Sequence, residues 1–203
     1  MKVFQGSIPF EPGSNSQIGQ ESFVLFVLDK KFGGSYLEIG ASDPIEISNT
    51  YILESRYKWK GISIEWNQEL TTKFNGFRQN PCLCLDATKT NYKELLKKFS
   101  FPHLIDYLQV DIEPPANTFK ALYKVLKSGY KFKVVTFEHD LYASKINLVF
   151  KILAKLFLYS YGYRLVANNV RNGSASQEDW YLNREIRPDL KLRKNQDFRN
   201  LFA

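Results

Sequence analysis

Several features that would identify a protein class are missing from this 203-residue chain. It has two cysteines, Cys82 and Cys84, and two histidines. This set builds neither a disulfide framework nor a Cys/His zinc site and suits a reducing compartment, so we expect a cytoplasmic protein. The first ten residues, MKVFQGSIPF, lack the pattern of a signal peptide. The longest apolar stretch, 146–161, contains Lys151 and Lys155 and is too short to span a bilayer.

The composition predicts one folded domain. Apolar residues make up 44% of the chain and aromatic residues 15%, which excludes a disordered protein. The 28 basic and 21 acidic residues give a net charge of +7 without one basic tract, so we expect no nucleic-acid partner. The sequence leaves the oligomeric state open. We predict an extended arm over 1–16, a single α/β domain over 17–183 and a charged tail over 184–203.

Short apolar segments alternate with amphipathic ones along the domain. This pattern predicts a mostly parallel sheet with helices on both faces, in which ligands bind outside the carboxyl ends of the strands. The predicted strands are 35–40, 61–65, 82–86, 105–113, 133–140, 163–170 and 178–183, and the predicted helices are 21–32, 48–58, 67–74, 91–99, 116–130 and 145–160.

Carboxylates recur at the ends of five successive predicted strands. They are Glu38, Glu65, Asp86, Asp111 with Glu113, and Glu138 with Asp140. The spacings of 27, 21, 25 and 27 residues, counted from 38 to 65, 86, 111 and 138, each match one βα unit. Helix capping explains any single one of them. Five together predict a ligand that carries positive charge and hydroxyl groups, because gathered carboxylates repel one another unless a cation or a donor offsets them.

The loop after the first strand, residues 38–44, narrows the choice of ligand. It lacks the G-x-G-x-x-G pattern that lets a backbone approach a pyrophosphate, and it retains only Gly40. A ligand without phosphates, with an ammonium, a sulfonium and a ribose diol, fits better, and S-adenosylmethionine is such a ligand. Glu65 would then accept hydrogen bonds from the ribose, Asp86 and Ala87 would flank the adenine, and Gly40 would let the methionine part pass. An ordinary turn also explains Gly40.

Seven segments, in order, resemble the signature segments of FkbM-type methyltransferases. They are SQIGQ (16–20), GGSYLEIGASDP (33–44), SNTYILE (48–54), WKGISIEWN (59–67), IDYLQVDIE (105–113), VVTFEHD (134–140) and EDWYL (178–182). The resemblance implies a Rossmann-like class I methyltransferase fold over residues 17–183. It also implies use of S-adenosylmethionine and methyl transfer to a hydroxyl of a sugar or glycan-like acceptor. Two segments depart from it: Pro44 replaces a glycine, and Pro114-Pro115 follows Glu113 where many relatives have glycine.

The predicted cofactor site combines the strand ends with the matching segments. Its residues are Glu38, Gly40, Ala41, Ser42, Asn49, Thr50, Glu65, Trp66, Asp86, Ala87 and Asp111. For Asn49 and Thr50 we expect helix capping with partial cofactor contact. From the resemblance alone, Gln17 and Gln20 are expected to fold over the site.

A hydroxyl acceptor must lose its proton, which calls for a general base or a metal. His139 is the predicted base, and the neighbouring Glu138 and Asp140 are expected to raise its pKa. Asp111 and Glu113 can orient the acceptor or act as the base, and with Asp140 they are a candidate Mg²⁺ site. Two alternatives remain: a methyltransferase of a small non-sugar metabolite and a non-catalytic binding module of the same fold. The net charge of +7 makes an RNA methyltransferase a further option, but the sequence shows no basic groove interleaved with aromatic residues.

The segment 145–160 has two interpretations. We expect a helix that packs on the sheet. The alternative is a helix that lies on a membrane surface, with Lys151 and Lys155 on its polar face.

Overall fold

The computed structural model of this chain describes residues 8–172, 175–188 and 190, without the side chain of Ser176. The described part contains six helices and seven strands. In chain order these are α1 (Gln20–Val27), β1 (Ser35–Ile39), α2 (Tyr51–Ser55), β2 (Lys60–Glu65), α3 (Gln68–Phe77), β3 (Cys82–Cys84), α4 (Tyr92–Lys98), β4 (Leu104–Val110), α5 (Pro115–Lys127), β5 (Lys131–Glu138), α6 (Asn147–Ser160), β6 (Tyr163–Asn172) and β7 (Ala175–Asn183).

The strands form one sheet in the order β3-β2-β1-β4-β5-β7-β6. Strands β1 to β5 run parallel, and β7 is antiparallel to both β5 and β6. The predicted α/β architecture with a mostly parallel sheet is therefore confirmed. Because parallel strands all end on the same side, the chain leaves β1, β2, β3, β4 and β5 at one edge, which we call the carboxyl edge.

Successive side chains of a strand point to opposite faces of the sheet, so the hydrophobic core is divided into two clusters, one on each face. Leu37 and Leu108 belong to a cluster shared with α4, α5 and α6. Tyr36 and Tyr107, one position earlier on the same strands, belong to a second cluster shared with α1 and α2. Each fully buried side chain of this kind contributes about 1.5–3 kcal/mol relative to exposure. These two clusters hold the strands in place relative to one another, and so fix where each strand ends at the carboxyl edge.

Several elements are shorter than predicted. Helix α1 ends at Val27, because Asp29 and Lys30 have positive φ. Strand β4 ends at Val110 instead of 113, and helix α5 begins at Pro115, whose ring fixes φ for a first helical turn. Asp111 and Glu113 therefore lie in the loop between β4 and α5, not in the strand predicted over 105–113.

The described parts of the predicted arm and tail pack on the domain. Ile8 is fully buried, and Glu11 is bound by Tyr57 and Arg56. Leu190 is fully buried as well. Residues 1–7, 189 and 191–203 of the predicted arm and tail lie outside the described residues. No helix in the described part is long and apolar enough to cross a membrane.

Candidate functional site

A cavity of about 700 Å³ opens at the carboxyl edge, beside the ends of β1, β2, β3 and β4. Its lining consists of Gly40, Ser42, Ile47, Ile64, Glu65, Trp66, Leu70, Leu85, Asp86, Ala87, Thr88, Asp111, Ile112, Glu113 and Asn117. Of the eleven predicted cofactor residues, seven are in this set: Gly40, Ser42, Glu65, Trp66, Asp86, Ala87 and Asp111. Among the described residues, the lining contains four carboxylates and no lysine or arginine. The volume suits a small-molecule ligand.

Glu65, the last residue of β2, is held rigidly at the cavity wall. Its carboxylate accepts hydrogen bonds from the backbone N–H of Ser42 at 3.2 Å and from that of Asn67 at 2.9 Å. Asn67 in turn caps α3 by accepting from the backbone of Glu69 at 2.8 Å. The neighbouring Trp66 side chain is 78% exposed. This part of the cavity wall therefore places a fixed hydrogen-bond acceptor, the Glu65 carboxylate, next to the solvent-exposed ring of Trp66.

Asp86 is engaged by its own loop. Its carboxylate accepts from the backbone and the hydroxyl of Thr88, at 2.8 and 2.7 Å, and pairs with Lys89 at 3.0 Å. The bonds from Thr88 and Lys89 lower the pKa of Asp86 to about 2. The next residue, Ala87, is fixed because its carbonyl accepts from the Tyr92 hydroxyl at 2.9 Å. The loop therefore presents a permanently ionised carboxylate and an ordered backbone to the cavity.

The backbone conformation at position 40 and a close contact with a neighbouring loop both require glycine there. Its φ is +90°, and a Cβ at this position would collide with the carbonyl group of Asp111. The backbone N–H of Asp111 donates to the carbonyl of Ile39 at 2.9 Å, which draws the two loops together. We predicted that Gly40 lets a ligand pass, whereas the contact that demands glycine is with the loop after β4.

Asp111 lies in a strongly acidic environment. Burial, followed by the charges of Glu178, Asp140, Glu113 and Glu38, raises the pKa of this carboxyl well above its usual range. A positive ligand beside it would favour the ionised form again. The lining therefore favours a ligand that places positive charge next to Asp111.

The predicted Mg²⁺ site on Asp111, Glu113 and Asp140 is not supported. Among the described residues, no group of three or more His, Cys, Asp or Glu side chains has the geometry to hold a metal ion. The physical reason is the early end of β4, which places Asp111 and Glu113 in a loop. Asp140, by contrast, is buried after β5, at a positive φ of 43°.

Glu38, Ala41, Asn49 and Thr50 were predicted to contact the cofactor but are not in the cavity lining. Glu38 is buried and accepts from the hydroxyls of Ser63 at 2.6 Å and Thr50 at 3.0 Å. Burial raises its pKa to about 6. Ala41 belongs to a small apolar cluster. The side-chain oxygen of the buried Asn49 has no hydrogen-bond partner among the described residues. Thr50 precedes α2 without making a side-chain cap, so the predicted capping is not observed, while contact of Asn49 and Thr50 with the cofactor stays a prediction.

Arg78 is the main residue that sequence reasoning missed. Its buried guanidinium donates to Glu54 at 2.8 Å, to the Thr50 hydroxyl at 3.0 Å and to the Pro44 carbonyl at 2.9 Å. It therefore fixes the loop between β1 and α2 behind the cavity. No signal in the sequence distinguishes it from an exposed arginine at the end of an amphipathic helix.

His139 is fully buried and does not line the cavity. Its Nδ1 accepts from the backbone N–H of Leu141 at 3.2 Å, and its Nε2 lies 3.4 Å from Asp179 Oδ1 and 3.3 Å from Lys151 Nζ. We expected neighbouring carboxylates to raise its pKa. The pKa is instead lowered, because burial outweighs the attraction of Asp179.

Gln20 is buried and contacts Glu178 on β7, but it does not line the cavity, and its expected position over the site stays a prediction. Its amide donates to Glu178 at 2.7 Å, and the indole N–H of Trp180 donates to the other carboxylate oxygen at 2.7 Å. Burial nevertheless raises the pKa of Glu178 to about 7. The exposed Gln17 takes no part in this contact.

A second cavity, of about 930 Å³, lies at the opposite edge of the sheet. Lys31 and Lys133 line it, and both are bound to Asp106, at 2.6 and 2.7 Å. It contains none of the predicted site residues. The cavity at the carboxyl edge is therefore the candidate site.

Comparison with known proteins identifies the fold. No family model and no curated protein sequence matches the chain. A putative rRNA-methylase from Clostridium thermocellum superposes with a TM-score of 0.57 at 8% identity, over 83% of this chain and 96% of that one. The METTL16 MTase domain structure gives a TM-score of 0.57 at 12% identity, over 82% of this chain and 66% of that one. The chain therefore has the Rossmann-like fold of class I methyltransferases.

Proposed function

We propose that this protein is an S-adenosylmethionine-dependent O-methyltransferase that acts on a hydroxyl of a sugar or glycan-like acceptor. The observation that carries the proposal is the lining of the cavity at the carboxyl edge, which has four carboxylates and no described lysine or arginine. Such a lining suits a cationic cofactor and a neutral, hydroxyl-rich acceptor. It disfavours a phosphate-bearing cofactor such as a dinucleotide.

The residues present fit the proposed cofactor. Glu65 would accept hydrogen bonds from the ribose hydroxyls, because two backbone N–H groups hold its carboxylate in place and leave lone pairs free. Trp66, exposed beside it, would cover the adenine ring, with Asp86 and Ala87 at the ring's edge. Asp111 would face the positively charged part. When bound, S-adenosylmethionine supplies a methyl group activated by a sulfonium.

Proton removal from the acceptor is assigned to the carboxylates at the cavity. Asp111 and Glu113 both line it, whereas His139 does not. The raised pKa of Asp111 suits a group that takes a proton, provided that a positive charge nearby restores its ionised form. Asn117 also lines the cavity and is available to hydrogen-bond acceptor hydroxyls. His139 then becomes a positioning residue for the end of β5.

Three alternatives remain. A small non-sugar metabolite with a hydroxyl would meet the same carboxylates, and a non-catalytic binding module would bind the cofactor without turnover. One structural neighbour is described as a putative rRNA-methylase, but the acidic lining disfavours a polyanionic acceptor at this cavity. We keep the cytoplasm as the proposed location, since Cys82 and Cys84 are both free thiols.

Calorimetry with S-adenosylhomocysteine tests the cofactor. We expect binding for the wild type, none for NAD, and a weakening of about 10–100-fold in Glu65→Gln, which removes a charged acceptor. Glu69→Gln, an exposed glutamate in the first turn of α3, is the matched control and should bind like the wild type. Binding of NAD, or an unchanged affinity in E65Q, would contradict the proposal.

Transfer of a labelled methyl group to a panel of sugars, nucleotide sugars, small hydroxylated metabolites and RNA then tests the acceptor. Product on a saccharide hydroxyl is the expected outcome, with a loss of about 10²–10⁴-fold in kcat for whichever of Asp111→Asn and Glu113→Gln removes the base. Product on RNA, or full activity in both variants, would be evidence against the assignment.

A further inference from the structure

Helix α6 exposes a group of apolar side chains to solvent, while two polar residues lie on its inner side beside the buried Ala154 and Leu158. Asn147 and Lys151 are buried on its inner side, where Lys151 Nζ lies 2.8 Å from Asp179 Oδ1. The membrane-surface alternative placed Lys151 on an outer polar face, whereas the structure buries Lys151 against Asp179. The outer side carries exposed Ile146, Leu148, Val149, Ile152, Leu153 and Leu156, with Ile146 and Leu156 at 61% and 60% exposure.

Helix α5 lies beside α6 on the same face of the sheet and adds positive charge. Lys120 and Lys127 are exposed on α5, and Lys145 is exposed just before α6. The sequence has no Asp or Glu over 114–137 or 141–177, so neither helix offers an acid to these lysines. We call this surface, the outer sides of α5 and α6 with residues 142–146, the α5–α6 face. It is apolar at its centre and cationic around it.

Tyrosine residues, which have an apolar ring and a polar hydroxyl, lie at the border of the α5–α6 face. Tyr123, Tyr142 and Tyr159 are all exposed. The Nζ of Lys127 lies 5.8 Å from the ring centre of Tyr123, and the Nζ of Lys155 lies 5.7 Å from that of Tyr159. Tyrosine and lysine at the edge of an apolar surface are the residues that sit at a membrane–water boundary.

We propose that the α5–α6 face docks on the surface of a lipid bilayer that contains anionic lipids. The 14 residues of α6 extend for about 21 Å, so the helix would lie in the plane of the interface. Its apolar side chains would enter the headgroup region while the lysines meet anionic headgroups. A second copy of the chain is disfavoured as the occupant, because two lysine-bordered faces would bring like charges together. This proposal does not depend on the proposed function.

Flotation of the full chain with lipid vesicles tests the docking surface. We expect binding to vesicles of phosphatidylcholine with phosphatidylglycerol, weak binding to phosphatidylcholine alone, and a decrease with added salt. Leu153→Gln with Leu156→Gln should weaken binding by at least about tenfold. Phe32→Gln with Phe77→Gln, two apolar side chains exposed elsewhere, is the matched control and should float like the wild type.

Lys145→Gln with Lys155→Gln gives a second test that does not alter the apolar centre. Each lysine near an anionic surface is worth about fivefold in partitioning, so the pair should lose about 25-fold on anionic vesicles only. The proposal is overturned if the wild-type protein does not float with anionic vesicles. That result would favour a protein as the partner of the α5–α6 face. The proposal is also overturned if L153Q/L156Q floats unchanged, or if sedimentation shows a dimer that this variant abolishes. Flotation needs neither cofactor nor acceptor, so its failure is distinct from a failure of the proposed function.

Discussion

The carbonyl group of Asp111 occupies the space that a side chain at Gly40 would need. The ends of β1 and β4 meet there, and both residues line the cavity at the carboxyl edge. The shape of the candidate site thus depends on a contact between two loops that are 71 residues apart in the sequence.

Gly40→Ala is expected to destabilise the fold and to deform the cavity. The backbone conformation at φ +90° costs an L-residue about 1–2 kcal/mol, and the collision with a backbone carbonyl adds to that cost. Gly76→Ala is the control, because Gly76 lies in α3 with nothing near its Cβ position. Urea unfolding should show G76A slightly more stable than the wild type, by about 1 kcal/mol, and G40A much less stable. Equal stabilities would contradict the packing described here.

Arg78→Met should destabilise the protein by about 3–5 kcal/mol, because the buried Glu54 loses its charged partner. The side chain of methionine fills a similar volume, so the effect is chiefly electrostatic. Lys73→Met, which breaks an exposed pair with Asp43, is the matched comparison and should leave the melting temperature unchanged. If the two variants melted alike, Arg78 would not be the residue that holds the loop.

His139→Gln is expected to act on stability more than on cofactor binding. The ring is fully buried beside Lys151 and Asp179, and a missing partner there costs about 1–3 kcal/mol. The affinity for S-adenosylhomocysteine should stay at the wild-type value, since His139 does not line the cavity. Thermal melts and calorimetry check both statements, with the exposed His103→Gln as control. A normal melt with a large loss of kcat would restore His139 as the general base.

The buried Glu178 should make stability depend on pH. Its pKa is about 7 in the fold and 4.5 ordinarily, so its contribution is complete below pH 4.5 and is lost as the pH rises through 7. A carboxyl that changes in this way contributes on the order of 3 kcal/mol. Glu21, raised to about 7, and Glu38, raised to about 6, act in the same direction.

Urea unfolding from about pH 5 to pH 8 measures this dependence. We expect the free energy of unfolding to fall over that range, and to fall less steeply in Glu178→Gln. Glu185→Gln, an exposed glutamate after β7, should keep the wild-type slope. A slope in E178Q equal to that of the wild type would show that Glu178 is already ionised in the fold.

The sequence was sufficient to predict the sheet and the edge at which the cavity of the candidate site opens. Apolar strands recur at the length of a βα unit, and parallel strands necessarily end on one side, so Glu65 and Asp86 could be assigned to that side from their positions alone. The spacing of apolar residues within each segment carries this information, because every strand and helix must turn an apolar side toward the hydrophobic core. The antiparallel placement of β7 between β5 and β6 had no such local signal.

Side-chain direction and burial were decided only by tertiary contacts. Glu38 and Glu65 both stand at strand ends, yet Ser63 and Thr50 hold the first behind the cavity while Ser42 and Asn67 hold the second in its wall. Lys151 points inward, where β7 brings Asp179 beside it, and the exposed apolar side chains of α6 lie on the opposite side of the helix. The sequence by itself determined which residues reach the carboxyl edge. Which of them face the cavity followed from partners far away in the chain, because the energy of a buried charge depends on the groups around it.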